Sequence, residues 1–218
     1  MLNKIAMPKR TLPPRFGFYS VLTDPPKGYD YLTKLLVDHE MPVVQLRMKG
    51  APRETVVDAA LRMRKITDGT NTLLIINDDP EIAAEVDADG VHLGQGDMPY
   101  GDALSIVGND RIIGISTHNP RQAAAACQLR PGYIGVGPVF ATPTKKIPDP
   151  VIGIGGMKEM LSASTVPAVC IGGIDLGNLP LVISSGAQNF CMVRQFTQSE
   201  NPERVLKEMM RIYNQSLL

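Results

Sequence analysis

The sequence has few of the features that mark membrane, secreted or nucleic-acid-binding proteins. Its 218 residues include no tryptophan, only three cysteines and 5% aromatic residues. Basic and acidic residues balance at 22 each and form no basic stripe, so nothing favours binding to nucleic acid or to anionic lipid. Its apolar runs, such as Thr72 to Ile76, are much shorter than the roughly 20 residues that span a membrane. These absences favour one soluble domain that acts on small molecules.

The cysteines and the first residues give no sign of secretion. Cys127 follows a run of alanines, and Cys170 and Cys191 lie in apolar runs without metal-ligand spacing, so we interpret all three as reduced structural thiols. Residues 1–16 contain basic residues but no apolar segment of the kind found in a secretory signal. We therefore expect a flexible N-terminal leader over 1–16, a catalytic domain over 17–218, and a cytoplasmic location.

Glycine and proline are comparatively abundant, with 20 and 18 copies, and they separate many short apolar runs. Eight runs have the composition of β-strands: Phe16 to Leu22, Pro42 to Arg47, Thr72 to Ile76, Gly90 to Leu93, Arg111 to Ile115, Tyr133 to Val136, Ala168 to Ile171 and Phe190 to Val193. Stretches with helical spacing of apolar residues lie between them. Asn119-Pro120 and Asn201-Pro202 each predict a helix start, because a capping side chain precedes a proline that needs no N–H in the first turn.

Eight alternating strand and helix units in a chain of this length predict an α/β fold, a single-domain (β/α)8 TIM barrel with a short N-terminal extension. A doubly wound open sheet is the alternative. The glycine-rich nucleotide-binding motifs that would favour it do not occur in the sequence.

Polar residues follow the predicted strands at the end where barrel enzymes carry their reactive groups. In chain order these are Thr23-Asp24, Gln45 to Lys49, Asn77-Asp78, Gly94 to Asp97, Ser116 to His118, Thr142 to Lys145, Gly172-Gly173 and Arg194. Such a concentration of polar groups predicts a binding site in the barrel mouth.

One side of this mouth has the composition of an anion and metal site. Gln45, Arg47 and Lys49 alternate, so they project to the same side if the strand persists to Lys49. Asp78 and Asp97 follow neighbouring strands, and two carboxylates beside cations suit Mg²⁺ bound together with a phosphate-bearing substrate. The alternative is a purely structural network in which the two cations pair with the two aspartates.

The other side of the mouth predicts a second phosphate site. Thr142, Thr144 and Lys145 offer hydroxyls and an ammonium group, and Gly172-Gly173 would let backbone N–H groups approach an anion. A glycine turn required only for packing is the alternative. The spacing of His118 does not justify assigning it a catalytic role, because a lone histidine is more often hydrogen-bonded and structural. The two sides together predict two phosphorylated ligands or one ligand with two phosphates.

The ordered set of motifs resembles the thiamine phosphate synthase family from about residue 17 onward. The matching segments are Tyr19 to Asp24, Gln45 to Lys49, Ile76 to Asp78, Asp89 to Asp97, Gly114 to His118, Tyr133 to Phe140, Thr142 to Lys145 and Ile171 to Ile174. The resemblance implies a transferase that condenses hydroxymethylpyrimidine pyrophosphate with hydroxyethylthiazole phosphate and releases pyrophosphate, with Mg²⁺ as cofactor. Small-molecule substrates are then the expected partners, and homo-oligomerisation is left open.

The same resemblance assigns roles to individual residues. Asp78 and Asp97 would ligate Mg²⁺, and Ser116 would lie beside the reacting pyrimidine. The pyrophosphate would be held by Gln45, Arg47, Lys49, Asn77 and Lys145, and the thiazole phosphate by Thr142, Thr144 and Gly173. Arg47, Lys145 and Ser116 are the expected catalytic residues.

Two positions depart from the family pattern. Met48 replaces the usual glutamate at a position that should point away from Gln45, Arg47 and Lys49. Arg194 lies where the family commonly has serine, and we expect its guanidinium to contact the thiazole phosphate or, alternatively, to pair with an acid of the following helix. The alternative functions are the related thiazole tautomerase, which shares a histidine at the position of His118, and a non-catalytic regulator that binds thiamine precursors.

Overall fold

The computed structural model describes residues 10–142 and 149–216, and its eight strands form a closed barrel. The strands pair in parallel and in chain order, with β8 returning to β1. They are β1 (Gly17–Leu22), β2 (Val43–Leu46), β3 (Leu73–Asn77), β4 (Gly90–Leu93), β5 (Ile112–Thr117), β6 (Tyr133–Val136), β7 (Ala168–Cys170) and β8 (Asn189–Phe190). The predicted TIM barrel is confirmed, and the open-sheet alternative is wrong.

Helices cover the outside of the barrel. They are α1 (Tyr29–Asp38), α2 (Arg53–Thr67), α3 (Pro80–Glu85), α4 (Tyr100–Val107), α5 (Pro120–Gln128), α6 (Gly153–Ala163), α7 (Leu179–Ser184), α8 (Arg194–Thr197) and α9 (Pro202–Gln215). Asn119 and Asn201 cap α5 and α9 as predicted, each accepting a hydrogen bond from a backbone N–H three residues later. Asp79 caps α3 in the same way before Pro80, which makes a third helix start of this kind beyond the two predicted.

Strand alternation separates two apolar layers. One set of side chains packs beneath the helices, and the other fills the barrel interior. The interior layer consists of Leu12, Tyr19, Val21, Val43, Ile75, Ile112, Tyr133, Val169 and Cys191. Gly114 is required opposite Tyr133, because a Cβ at this position would collide with the tyrosine ring. The three cysteines are buried and free, as interpreted from the sequence.

Five of the eight strands end at a different residue from the one predicted. β3, β5 and β7 end at Asn77, Thr117 and Cys170, within two residues of the predicted ends, and β2 and β8 end early. β2 ends at Leu46 rather than continuing to Lys49, although the Arg47 N–H still donates to the Leu22 carbonyl at 2.9 Å. β8 ends at Phe190 rather than Val193, because the chain turns at Val193 and α8 begins at Arg194. An apolar run does not reveal where a strand ends and a short helix begins.

Part of the predicted leader packs against the amino-terminal end of the barrel. Leu12 is buried in the interior layer, and Arg10 contacts the buried carboxylate of Asp89 at 2.7 Å. Residues 1–9 lie outside the described residues, so the leader prediction is not tested there. No helix of the described chain is long and apolar enough to cross a membrane.

Candidate functional site

A cavity of about 480 Å³ opens at the carboxyl-terminal end of the barrel. It is lined by every predicted site residue that the structure describes: Gln45, Arg47, Lys49, Asn77, Asp78, Asp97, Ser116, Thr142, Gly173 and Arg194. Thr144 and Lys145 lie outside the described residues. The structure thus brings the predicted polar groups together at one mouth.

Two carboxylates meet at the edge of this cavity. Asp78 and Asp97 are in hydrogen-bonding contact, and Lys49 forms an ion pair with Asp78. Burial and the neighbouring Asp97 raise the pKa of Asp78 despite the lysine. Burial alone would raise the pKa of Asp97 too, but hydrogen bonds from Asp78 and from the Gly94 N–H, at 2.7 Å, lower it. The two carboxylates therefore need a shared proton or a cation between them.

The turn after β3 places the first of these carboxylates. Asp78 adopts a left-handed conformation with φ of 67°, which aspartate tolerates better than most residues. Its N–H donates to the His92 carbonyl at 2.8 Å, and the Asp79 N–H returns to the Asn77 carbonyl at 2.9 Å. This tight turn ends the strand and directs Asp78 toward Asp97 on the next strand's loop.

The cations after β2 are held differently from one another. Lys49 pairs with Asp78, whereas Arg47 donates to the Thr23 hydroxyl at 3.2 Å. Over the described residues Arg47 has no carboxylate partner, so the purely structural network expected as an alternative is present only in part. Met48 packs against the outer apolar layer, away from Gln45, Arg47 and Lys49, as predicted.

Several site residues were missed from the sequence. His92 lines the cavity on β4, where its Nε2 lies 2.8 Å from the Ser116 hydroxyl and its Nδ1 lies 2.8 Å from the Tyr133 hydroxyl. Tyr133 and Tyr19 have the sequence pattern of ordinary strand residues, yet both line the cavity. The available signal was a histidine inside an otherwise apolar strand, because such a side chain needs polar partners.

The opposite side of the mouth is shaped by close backbone packing. Gly172 and Gly173 have φ of 101° and 63°, and a Cβ on Gly173 would lie 2.6 Å from the Ala141 carbonyl oxygen. Packing therefore requires glycine here whatever Gly173 binds.

Arg194 is the first residue of α8, and within the described chain its guanidinium has no ion-pair or hydrogen-bond partner. Its predicted pairing with an acid of the following helix is not seen.

His118 is anchored in the wall of the site. Its Nδ1 lies 2.6 Å from the Gly137 carbonyl, which can only accept, so this nitrogen carries a proton. Its Nε2 lies 3.5 Å from a carboxylate oxygen of Asp149, another lining residue that was not predicted. These contacts support the structural interpretation of His118.

Comparison with known proteins gives consistent matches. A family model described as "Thiamine monophosphate synthase" matches residues 26–196. A thiamine-phosphate synthase from Vibrio parahaemolyticus is 36% identical over 84% of this chain and 89% of its own length. A thiamine-phosphate synthase from Gloeobacter violaceus is 42% identical over 78% of this chain, which spans half of that longer protein.

Solved structures agree with the sequence matches. A thiamine phosphate pyrophosphorylase from Pyrococcus furiosus superposes with a TM-score of 0.83 at 26% identity, covering 93% of this chain and 98% of the other. A 3-hexulose-6-phosphate synthase superposes with a TM-score of 0.64 at 14% identity, covering 90% and 99%. At such low identity the second match shows only a shared barrel fold.

Proposed function

This chain belongs to the thiamine monophosphate synthase family, and we propose that its mouth joins hydroxymethylpyrimidine pyrophosphate to hydroxyethylthiazole phosphate. The products would be thiamine phosphate and free pyrophosphate. The observation that carries this proposal is the pair of touching carboxylates, Asp78 and Asp97, beside Lys49 and Arg47. A divalent metal ion would balance the charge of the two carboxylates, and a pyrophosphate would balance the charge of the lysine and the arginine.

The residues at the carboxylate pair fit Mg²⁺. Asp78 and Asp97 supply the hard oxygen ligands that this ion prefers, and their contact demands a positive charge or a proton. No cluster of three or more histidine, cysteine or acidic ligands exists in residues 10–142 and 149–216. Two protein carboxylates leave coordination positions for water and for substrate phosphate oxygens, as is usual for Mg²⁺. When bound, Mg²⁺ would help neutralise the charge that develops on the departing pyrophosphate.

The reaction we propose needs no protein nucleophile. The bond between the pyrimidine methylene carbon and the pyrophosphate oxygen breaks, and its electron pair leaves with the oxygen. The lone pair of the thiazole nitrogen then forms the new C–N bond to that carbon. The protein's contribution is to stabilise the leaving group and to align two bound reactants.

Each side of the mouth has its own part in this proposal. Arg47, Lys49 and Lys145 would meet the growing charge of the pyrophosphate, with Gln45 and Asn77 as polar neighbours. Ser116 would contact the pyrimidine. The thiazole phosphate would lie across the cavity, held by Thr142, Thr144, Gly173 and Arg194.

The tautomerase and regulator alternatives gain no support from the relatives found. A regulator would have no need for carboxylates and cations arranged to stabilise a leaving group.

The direct test is a coupled product assay on the purified chain. Both substrates and Mg²⁺ are supplied, and thiamine phosphate and pyrophosphate are measured together. We expect the two products in equal amounts, no release of pyrophosphate without the thiazole substrate, and loss of activity when the metal is chelated. Absence of thiamine phosphate from a folded protein under these conditions would overturn the proposal.

A further inference from the structure

The loop after β7, residues 171–178, lies on the side of the mouth proposed to bind the thiazole phosphate. Three successive carbonyl groups at its start are held by other parts of the chain. Two accept from backbone N–H groups of the loop after β6, and the third accepts from a side-chain amide. The pairs are Ile171 with the Val139 N–H and Gly172 with the Phe140 N–H, both at 2.9 Å, and Gly173 with Nδ2 of Asn178 at 2.8 Å.

A held carbonyl also fixes the direction of the next N–H group. In a trans peptide the C=O of one residue and the N–H of the next point to opposite sides. The N–H groups of Gly172, Gly173 and Ile174 therefore point away from the groups that hold the three carbonyls. These residues line the cavity, and within the described chain their N–H groups make no hydrogen bond. A partly buried N–H without a partner in the chain is a donor for water or for a ligand.

The next four N–H groups of the loop are already used. Asn178 Oδ1 accepts from the Asp175 N–H at 2.9 Å, and Gln195 Oε1 accepts from the Leu176 N–H at 2.7 Å. Asp175 Oδ1 accepts from the N–H groups of Gly177 and Asn178 at 2.9 and 3.0 Å. The loop therefore contains three successive donors without a partner in the described chain, followed by four donors that side-chain oxygens bind.

Asn178 is the N-cap residue of α7, but its side chain does not cap this helix. An asparagine at such a position usually accepts from an N–H two or three residues later, as Asn119 and Asn201 do. Both ends of the Asn178 amide instead bind the loop, at the Gly173 carbonyl and the Asp175 N–H. Of the three held carbonyls, that of Gly173 is the one bound by a side chain, so a single substitution can release it.

We propose that Asn178 is a positioning residue that keeps the Ile174 N–H directed toward the mouth, where it binds the phosphate of the thiazole substrate together with the Gly173 N–H. The identity of this ligand rests on the proposed function. Asn178 is not among the described residues that line the cavity, so it acts through the peptide and does not touch the substrate. A released peptide beside Gly173 can rotate, because glycine permits a wide range of backbone angles. Its carbonyl oxygen would then face the phosphate and repel it.

The two neighbouring amides give a direct test with inorganic phosphate as the probe. Amide ¹H–¹⁵N NMR spectra of the full-length, substrate-free protein are recorded as phosphate is added. In the wild type we expect the Gly173 and Ile174 proton signals to shift downfield, because each N–H donates to the anion. In Asn178→Ala the Ile174 shift should be largely lost and the Gly173 shift retained, because the Phe140 N–H still holds the preceding peptide. No Ile174 shift in the wild type, or an equal shift in the variant, would overturn the proposal.

Binding measurements test whether this peptide matters for the substrate. Asn178→Ala should weaken binding of the thiazole phosphate about tenfold, because a hydrogen bond to a charged group is lost. Its affinity for hydroxyethylthiazole without the phosphate should stay unchanged. General loosening of the loop would weaken the binding of both compounds, so equal losses for the two would contradict the positioning role.

Asn201→Ala is the matched control for an effect on the fold. It removes another asparagine at the start of a helix, where Oδ1 accepts from the Arg204 N–H at 3.0 Å. This variant should lower the free energy of unfolding, measured by urea denaturation, without changing either affinity. A loss of thiazole phosphate affinity equal to that of Asn178→Ala would contradict the proposal.

Asn178→Asp separates positioning from helix capping. Aspartate caps helices about as well as asparagine, so a capping role predicts unchanged affinity for the thiazole phosphate. An ionised carboxylate cannot donate to the Gly173 carbonyl, so we expect binding at least as weak as in Asn178→Ala. Wild-type affinity in folded Asn178→Asp protein would overturn the proposal.

The outcomes also distinguish this inference from the proposed function. A wild type that binds phosphate through the Gly173 and Ile174 amides but forms no thiamine phosphate would refute the proposed function alone. A wild type that forms thiamine phosphate without an Ile174 response to phosphate would refute this inference alone.

Discussion

Aspartates lie at both ends of the barrel, but their neighbours differ. At the amino-terminal end Asp89 is nearly buried and contacts Arg10 at 2.7 Å, Arg64 at 3.1 Å and the Leu74 N–H at 2.7 Å. At the mouth Asp78 and Asp97 contact each other, and among the described residues Lys49 is the lysine that forms an ion pair with Asp78.

The difference indicates that the charges at the amino-terminal end stabilise the fold, whereas the charges at the mouth bind a ligand. The charge of the Asp89 carboxylate is balanced by two arginines and a backbone N–H of the same chain. This carboxylate therefore contributes to the stability of the folded state. The mouth leaves like charges in contact, an arrangement that costs stability unless a ligand completes it. Removing charge should therefore have opposite consequences at the two ends.

The largest effect is expected at the mouth. Asp97→Asn and Asp78→Asn should each lower kcat/KM by roughly 1,000-fold, because the charge on the leaving pyrophosphate would lose its metal support. The free energy of unfolding without substrate should stay level or rise slightly, since a repulsive contact is removed. Product assays and urea denaturation on the same samples measure both quantities.

The control for this pair is Asp58→Asn, which removes a carboxylate 79% exposed on α2. It should change neither quantity. Near-normal turnover in either mouth variant with Mg²⁺ present would contradict the metal assignment.

At the amino-terminal end of the barrel, removing a carboxylate should lower the free energy of unfolding and leave activity unchanged. Asp89→Asn leaves Arg10 and Arg64 without their buried partner, and we expect the free energy of unfolding to fall by about 3 kcal/mol. Because Asp89 lies far from the cavity, KM and kcat at 25 °C should stay unchanged. Asp68→Asn is a close control, since Asp68 pairs with the same Arg64 but is 76% exposed. A loss of activity in folded Asp89→Asn protein would contradict the prediction that Asp89 affects stability only.

Within the mouth, removing a cation that has no carboxylate partner among the described residues should affect turnover more than binding. Arg47→Ala is expected to lower kcat roughly 30-fold with a smaller change in KM, because leaving-group charge grows as the C–O bond breaks. Lys145→Ala should behave in the same way. Initial rates over a range of pyrimidine substrate concentrations separate the two constants. A pure rise in KM at constant kcat would show that these cations only bind the ground state.

The sequence predicts the barrel and the mouth because each depends on local patterns. Strand exits marked by Asp78 and Asp97 can be read directly, since the topology brings the carboxyl ends of all strands together. The contact between Tyr19 and Tyr133 could not be predicted in this way, because both look like ordinary strand residues until the closed barrel brings their hydroxyls to 2.5 Å. The end of β8 was also missed, since Met192 and Val193 stay buried or nearly so while the chain leaves the strand.

The smallest predicted effect concerns the second phosphate site. Arg194 begins α8 at the cavity rim, and among the described residues its guanidinium has no partner, so a phosphate there would gain charge-assisted hydrogen bonds. Arg194→Ser should weaken binding of the thiazole phosphate about tenfold, because the introduced hydroxyl restores only part of the interaction. Isothermal titration with the thiazole phosphate alone measures this change, and Arg204→Ser, which removes an exposed arginine on α9, should leave the affinity unchanged. Equal affinity in wild type and Arg194→Ser would assign the phosphate to the threonine hydroxyls and backbone N–H groups, and the mouth would then bind its two anions by different chemistry.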